Sequence, residues 1–525
     1  MHHRRALAGV VIGAVVLAVG VPVAQAGPLG AELPVEASAT NPLAGCPPDG
    51  DGINFPDTEV EPWVEVNPTN ALNITGFYQQ DRYANGGAKS NVAAVSFDGG
   101  DTWTRTVPNQ LTTCTAGPNA PFQRATDPWM SFSPNGTLHA MSLVLNPDPV
   151  GGGFGDNAMI ANRSTDGGLT WEAPDVLRID TDPRFLNDKN SITADPTDSR
   201  FVYAVWDRLR TPRGEIQSSP QGAENVVGLG FKGPIWYARS TTNGSTWEPA
   251  REIYSPPANN QTIGNQIVVQ PDGELFNFFN ETLVRPGFRA LLSFITSDDH
   301  GATWDAKATR VAQIVPMDRV REDGVIDREP NVVCPDPSDQ GACPIRTADI
   351  LFDVAVHPGN GNLYAVWQDA RFDGFTHDSI AFTQSTNGGA TWSAPIEVNA
   401  TPEDEPIDDQ QAFIPSVHVD GAGKVVVTYY DFRNNTPDDG ILGTDKWAVH
   451  CHAACQLATN WPADGADTRV TATTFDMRDA PFARGWFLGD YVGLDDDGTD
   501  FISFFAQTHD ASDTSAFSSR LSIAP

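Results

Sequence analysis

Basic side chains are scarce in this sequence: 33 Lys and Arg stand against 67 Asp and Glu, a formal net charge of −34. Phosphate recognition needs clustered Lys and Arg, so this balance argues against a nucleic-acid partner. The same deficit disfavours docking on an anionic membrane surface. Long apolar runs are lacking beyond the N-terminus, so no membrane span is expected once that segment is removed. A Gly-rich phosphate loop, a nucleophile elbow and a His-Glu-x-x-His motif are also absent, as is any segment with the period of a helical domain. Cysteine is sparse, six in 525 residues.

What is present begins with an export signal. His2-His3-Arg4-Arg5 supply a basic start, Ala6 to Val21 an apolar stretch, and Ala24-Gln25-Ala26 a small-residue cleavage site. Residues 1–26 therefore read as a secretory signal peptide, and the mature chain as secreted and extracellular. Six cysteines suit that oxidising compartment. Cys334 with Cys343 and Cys451 with Cys455 are close enough for local bridges, leaving Cys46 with Cys114, although six cysteines allow fifteen pairings. Zinc at Cys451 and Cys455, beside His450 and His452, would need a second half-site that the sequence does not provide.

Five segments share one eight-residue pattern. They are Ser96-Phe-Asp98-Gly-Gly100-Asp-Thr102-Trp103, Ser164-Thr-Asp166-Gly-Gly168-Leu-Thr170-Trp171, Ser240-Thr-Thr242-Asn-Gly244-Ser-Thr246-Trp247, Ser297-Asp-Asp299-His-Gly301-Ala-Thr303-Trp304 and Ser385-Thr-Asn387-Gly-Gly389-Ala-Thr391-Trp392. Such a segment is hairpin chemistry: Asp or Asn caps the turn, Gly supplies positive φ, Thr resumes the strand and Trp buries a large ring. Thr242 replaces the acidic group in the third copy, and its hydroxyl can cap more weakly.

These copies resemble the Asp boxes, or BNR repeats, of sialidases and related glycan-processing propellers. The resemblance spans about 300 residues and implies an all-β fold, a β-propeller of four-stranded antiparallel blades. Seven strand–turn–strand units interleave with the boxes: Glu61 to Tyr78, Asp127 to Leu143, Asp188 to Trp206, Asn265 to Phe279, Asp349 to Trp367, Gln411 to Tyr430 and Asp490 to Phe505. That count predicts seven blades, with six as the alternative. Unit six carries a degenerate box, replaced by Cys451 to Trp461. Unit seven ends with Ser518 to Ile523 as a third strand, and its fourth is expected from Glu32 to Ala37. The chain thus divides into the signal (1–26), an N-terminal segment (27–60) that closes the ring, and one propeller domain (61–525), expected to be a monomer.

Residues at the start of strand one and the end of strand two should meet at the central mouth. Candidate catalytic residues there are Arg124, Asp127, Glu281, Asp490 and Tyr491. Aspartates could serve as acid or base and the Tyr as nucleophile, as the resemblance implies. Arg82, Arg208, Arg371 and Arg433 are candidates to bind a carboxylate, although recurring Asp-x-Arg pairs are equally read as ion pairs between blades. The sialidase Phe/Tyr-Arg-Ile-Pro motif has no counterpart beyond a loose echo in Phe122-Gln-Arg124, so no catalytic residue transfers one for one. The expected function is a secreted sialidase-like glycoside hydrolase acting on extracellular glycan or glycoprotein. The alternative is a non-catalytic propeller binding the same partners. No metal ligand set is assigned and no cofactor is required. Calcium at the acidic loop Asp495-Asp496-Asp497-Gly498-Thr-Asp500 is the weaker reading against a simple turn.

Overall fold

The computed structural model describes residues 28–524 except 117–119, 148–154, 212–230, 285–288, 317–331, 334–341, 344, 437–439, 484 and 511–512. The expected signal peptide (1–26), Cys334 and the charged stretch Asp318 to Asp323 lie outside the described residues.

Short β-branched and aromatic runs separated by Asp, Asn, Gly and Pro turns give an all-β chain of successive antiparallel four-strand units. Their first strands are Glu59–Val66, Arg124–Phe132, Phe185–Ala194, Gln261–Val269, Phe352–Val356, Ala412–Val419 and Gly493–Asp496. These define units one to seven. Each first strand packs against that of the next unit, and the seventh packs against the first. Units one and two are joined by a single bridge, Ala88 to Ala125.

Unit seven lacks a C-terminal fourth strand. Its third strand is longer than the sequence suggests, Asp513–Ile523, and two N-terminal pieces add to it. Leu29–Ala31 lies antiparallel to Leu521–Ile523, and Val35–Glu36 lies opposite Phe517–Ser518. The expected Glu32 to Ala37 strand is thus split in two and begins earlier. The Cys46–Cys114 disulfide fastens this segment to unit one, and Cys451–Cys455 closes the turn of unit six. No helix among the described residues is long and apolar enough to cross a membrane.

The core lies between units, where sheet faces meet. Second strands are buried on both faces, with Trp206 and Trp367 fully enclosed. Phe276, Phe278 and Phe294 of unit four, for example, pack on Phe352, Val354 and Trp367 of unit five.

The eight-residue segments form turns after the third strands. In the second copy Asp166 accepts from the Thr170 N–H at 2.9 Å, and the Ser164 hydroxyl oxygen accepts from the Gly168 N–H at 2.9 Å. Gly168 has φ +97°, a conformation costly for a residue with a Cβ. Trp171 is buried, stacks on Phe77 and donates to the Thr106 hydroxyl at 3.1 Å. In the third copy the Thr242 hydroxyl accepts from the Thr246 N–H at 3.0 Å, so the cap survives without the charge. Trp461 takes the place of the missing box in unit six, packed on Phe382. Asp166→Ala should cost about 1 kcal/mol through loss of the cap, measured by chemical denaturation. An unchanged midpoint would show that the turn does not depend on its aspartate.

One residue near the start of each first strand has positive φ: Glu61 (53°), Asp127 (50°), Lys189 (45°), Gly264 (73°), Ala348 (60°), Ile414 (47°) and Gly489 (145°). The ladder register slips there in units one, two, three, four and six, the mark of a bulge that re-aims side chains. Gly489 tolerates no side chain, since a Cβ would stand 2.8 Å from the Glu61 nitrogen.

Candidate active site

The bulges create the site. In units four to seven the positive-φ position carries Gly, Ala, Ile and Gly, but in units one to three it carries Glu61, Asp127 and Lys189. A non-glycine residue held there costs of order 1–3 kcal/mol. The strain is a property of the fold, because Ala348 and Ile414 bear it as well; what singles out the first three units is the charge placed on it.

Those charges meet. Lys189 Nζ lies 3.3 Å from Glu61 Oε1 and 3.4 Å from Asp127 Oδ1, and it also bonds Asp490. Arg346, in the approach to unit five, grips Asp490 with Nε at 2.9 Å and with a second nitrogen. Gln79 donates to Glu61, and Arg82 donates to Gln79 at 2.9 Å. Arg82 and Arg346 both lie over the Phe487 ring. The group faces solvent through Arg346, whose side chain is 26% exposed, and Lys189 at 10%, whereas Glu61 shows only 2%.

Electrostatics divide the carboxyl groups. Burial pushes Glu61 up to about 7, against the pull of Lys189, with Asp127 and Asp490 adding to the rise. Burial likewise raises Asp127 and Asp188. Asp490 goes the other way: burial would raise it, but Arg346 and Lys189 together hold it below the usual carboxylate range. Lys189 is buried yet kept protonated by Asp490, Glu61 and Asp127. Near neutral pH one carboxyl can therefore hold a proton while another, one ammonium group away, stays ionised. Environments that separate two carboxyl groups in this way assign acid and base roles.

Beneath the cluster lies an aromatic stack. Trp63 and Trp129 stack at 3.6 Å, and Tyr491 meets Trp129 edge-on at 5.1 Å. The Tyr491 hydroxyl donates to the Pro128 carbonyl at 2.9 Å, and burial raises its pKa further. Tyr491 thus sits beside the cluster, as the sequence suggests, but as a bonded neutral phenol rather than an activated nucleophile.

Of the other sequence candidates, Asp127 and Asp490 join the cluster and Arg82 borders it. Arg124 does not. It is 1% exposed, lies over Tyr83 and holds Asp49 at 2.5 Å, Asn85 at 2.8 Å and the Gly86 carbonyl at 2.7 Å, clamping the N-terminal segment. Glu281 is likewise elsewhere, accepting from Tyr254 at 2.9 Å and Arg310 at 2.9 Å.

Arg208, Arg371 and Arg433 are occupied by the protein itself. Arg208 makes a bidentate pair with Asp180 of the preceding unit at 2.8 and 2.6 Å. Arg371 grips Asp369 and reaches the Gln313 carbonyl of unit four. Arg433 binds Asp431 and Asp467 and reaches the Ala400 carbonyl of unit five. The recurring Asp-x-Arg segments therefore act as clamps between neighbouring units.

Glu61, Lys189 and Arg346 are not among the sequence candidates, although Lys189 and Arg346 lie in charged segments expected to enter first strands at the mouth. The signal available was a charged residue at the start of a first strand, followed in two cases by Pro (Glu61-Pro62 and Asp127-Pro128).

In the acidic loop, Asp497 accepts from the Thr499 and Asp500 N–H groups at 2.9 Å and pairs with Arg520 at 2.5 Å.

No protein-family model and no curated protein matches the chain. Solved structures do resemble it. A Dyadobacter fermentans protein of unknown function aligns over 94% of this chain and 99% of its own, at 13% identity and TM-score 0.47. A Hadza microbial sialidase aligns over 86% and 74%, at 14% and 0.44. A Penicillium chrysogenum alpha-L-arabinanase, complexed with arabinobiose, aligns over 94% and 98%, at 10% and 0.44. At such identities and scores, function must be argued from this chain's own residues.

Proposed function

We propose that the chain is a secreted seven-bladed Asp-box β-propeller that hydrolyses glycosidic bonds of extracellular glycans at its central mouth. The cyclic packing of seven first strands supports the blade count, and the N-terminal strands that complete unit seven support ring closure. The disulfides and the sequence of residues 1–26 support export. The observation that carries the chemistry is the divided carboxyl pair at Lys189: Glu61 poised near 7 and Asp490 held ionised. In this reading Glu61 protonates the departing glycosidic oxygen. Asp127 or Asp490 then stabilises positive charge at the anomeric carbon or activates water. Arg346 and Arg82 contact the sugar's polar groups.

The absence of a free arginine trio among the described residues weighs against sialic acid, because Arg208, Arg371 and Arg433 already hold carboxylates of the protein. Neutral sugars, arabinosides among them, suit the mouth better. The same pairing favours a second reading, a propeller that binds glycan or protein at this face without turnover.

Turnover on a panel of fluorogenic glycosides, sialosides and arabinofuranosides included, separates the two. Release of fluorophore from one glycoside class by wild type supports hydrolysis. No turnover by folded protein that still binds a glycan array would leave the binding reading.

A further inference from the structure

The far ends of the first strands carry a second polar cluster, on the side of the box turns. His418 comes from the first strand of unit six, Asp495 and Asp496 from that of unit seven, and Glu65 from that of unit one. One donor atom from each of His418, Asp495 and Asp496 lies within 4.8 Å of the other two. His418 Nε2 is 2.8 Å from Asp496 Oδ2 and 3.5 Å from Asp495 Oδ1.

Backbone groups orient both carboxylates. The Val66 N–H donates to the other oxygen of Asp495 at 2.7 Å, and the Gly498 N–H to the other oxygen of Asp496 at 2.8 Å. Such outer bonds are what hold metal-ligating carboxylates in place. Trp63 Nε1 donates to Glu65 at 3.2 Å, setting that side chain beside the cluster. A cavity of about 410 Å³ opens against the group, lined by Glu65, Asp495, Asp496 and Asp497.

Charge is unbalanced here. Three carboxyl groups face one imidazole, and no Lys or Arg pairs with Glu65, Asp495 or Asp496 among the described residues. The carboxyl groups of Asp495 and Asp496 both lie against the same imidazole nitrogen, so like charges are held close together. A divalent cation would relieve that repulsion directly.

We infer that His418, Asp495 and Asp496 form a site for a divalent metal of borderline softness, Zn²⁺ in chemical class, with Glu65 beside it and the cavity supplying water. One imidazole and two carboxylates leave a position open in a four-coordinate sphere, whereas calcium prefers six or more oxygens. A tetrahedral zinc needs donor atoms about 3.4 Å apart, so side-chain adjustment alone suffices. The site is separate from the cluster of Glu61, Lys189 and Asp490, at the opposite ends of the first strands beyond Trp63 and Trp129.

The test uses the full secreted chain stripped with chelator, then titrated with ZnCl₂ by calorimetry and by thermal unfolding. One equivalent should bind and raise the midpoint by at least about 2 °C. Asp496→Asn and His418→Asn should weaken binding at least about tenfold, while His452→Asn, which removes an unrelated histidine near the surface, should not. CoCl₂ in place of zinc should give the strong visible absorption of a four-coordinate ion in wild type and lose it in Asp496→Asn. If His418→Asn fails to fold, Asp495→Asn and Asp496→Asn decide. No binding at about 100 µM zinc, binding unchanged in the folded aspartate variants, or stabilisation by CaCl₂ and not by zinc would overturn the assignment.

Discussion

Glu61→Gln should lower kcat/KM by about 10²–10⁴ on the glycoside that wild type cleaves, while making the protein less sensitive to rising pH. The activity loss follows from removing a general acid. The stability effect follows from linkage. Glu61 in the folded protein is raised from 4.5 to about 7, so between those values the folded state holds a proton that the unfolded chain has released. Its stabilisation is complete below the unfolded value and disappears as pH rises through about 7, a change of about 3 kcal/mol for this buried group. Glutamine cannot ionise, so the variant should lose less stability between pH 5 and pH 8 than wild type does. Asp127, also raised, titrates in both proteins, and the readout is therefore the difference between their stability–pH curves. A residue important only for packing would lower activity and stability together. Full activity in Glu61→Gln would remove it from the chemistry. A stability–pH curve parallel to wild type would mean that its carboxyl titrates normally.

Lys446→Met should stabilise the fold by about 2 kcal/mol at pH 7 and flatten its response to alkali. Lys446 sits on the third strand of unit six, fully buried, with its nitrogen 4.4 Å above the Tyr430 ring and 6.0 Å from Phe505. Among the described residues that nitrogen has no hydrogen-bond partner and no carboxylate. Burial alone drives its pKa well below 10.5. An unpartnered buried amine forfeits its hydration without return, and a thioether of similar length fills the same space. Between the lowered value of the folded protein and the ordinary value of the unfolded chain, the folded lysine is neutral while the unfolded one stays charged. Acid therefore favours unfolding, and wild-type stability climbs as pH rises from the depressed value toward about 10.4. Methionine should remove that climb, which urea denaturation from pH 6 to pH 10 would show. A variant less stable than wild type across that range would mean that the amine has a partner in solution.

Much of the fold was legible because its determinants are local. Each box needs only a cap, a glycine and a tryptophan within eight residues, and the sequence shows all three in five places. The N-terminal contribution to unit seven was legible by subtraction, since three strands without a fourth need a donor. Its register was not, because Leu29–Ala31 and Val35–Glu36 are too short to carry a pattern of their own. The site was harder for a physical reason. Period-two alternation tells which face a strand residue occupies, but a bulge resets that alternation, and Glu61, Asp127 and Lys189 all sit on bulges. Arg208 and Arg433 misled in the opposite sense. Their spacing from aspartate was visible, but Asp180 and Asp467, which complete the pairs, lie about 30 residues away and show only in three dimensions.

The split N-terminal strand has a consequence for how the molecule is made. Leu29 pairs with Ile523 across all seven units, so the pairing that finishes unit seven can form only after every unit between them has been synthesised. Until then one sheet edge stands open, and Leu29–Ala31 and Val35–Glu36 must wait, unpaired, for Asp513–Ile523. Loop closure over such a distance is slow, and open edges invite pairing between chains. The interval between making the Asp513–Ile523 strand and seating Leu29–Ala31 on it is therefore when two copies can exchange strands. Deleting either end should leave every other unit with its own strands while exposing the edge that joins molecules together.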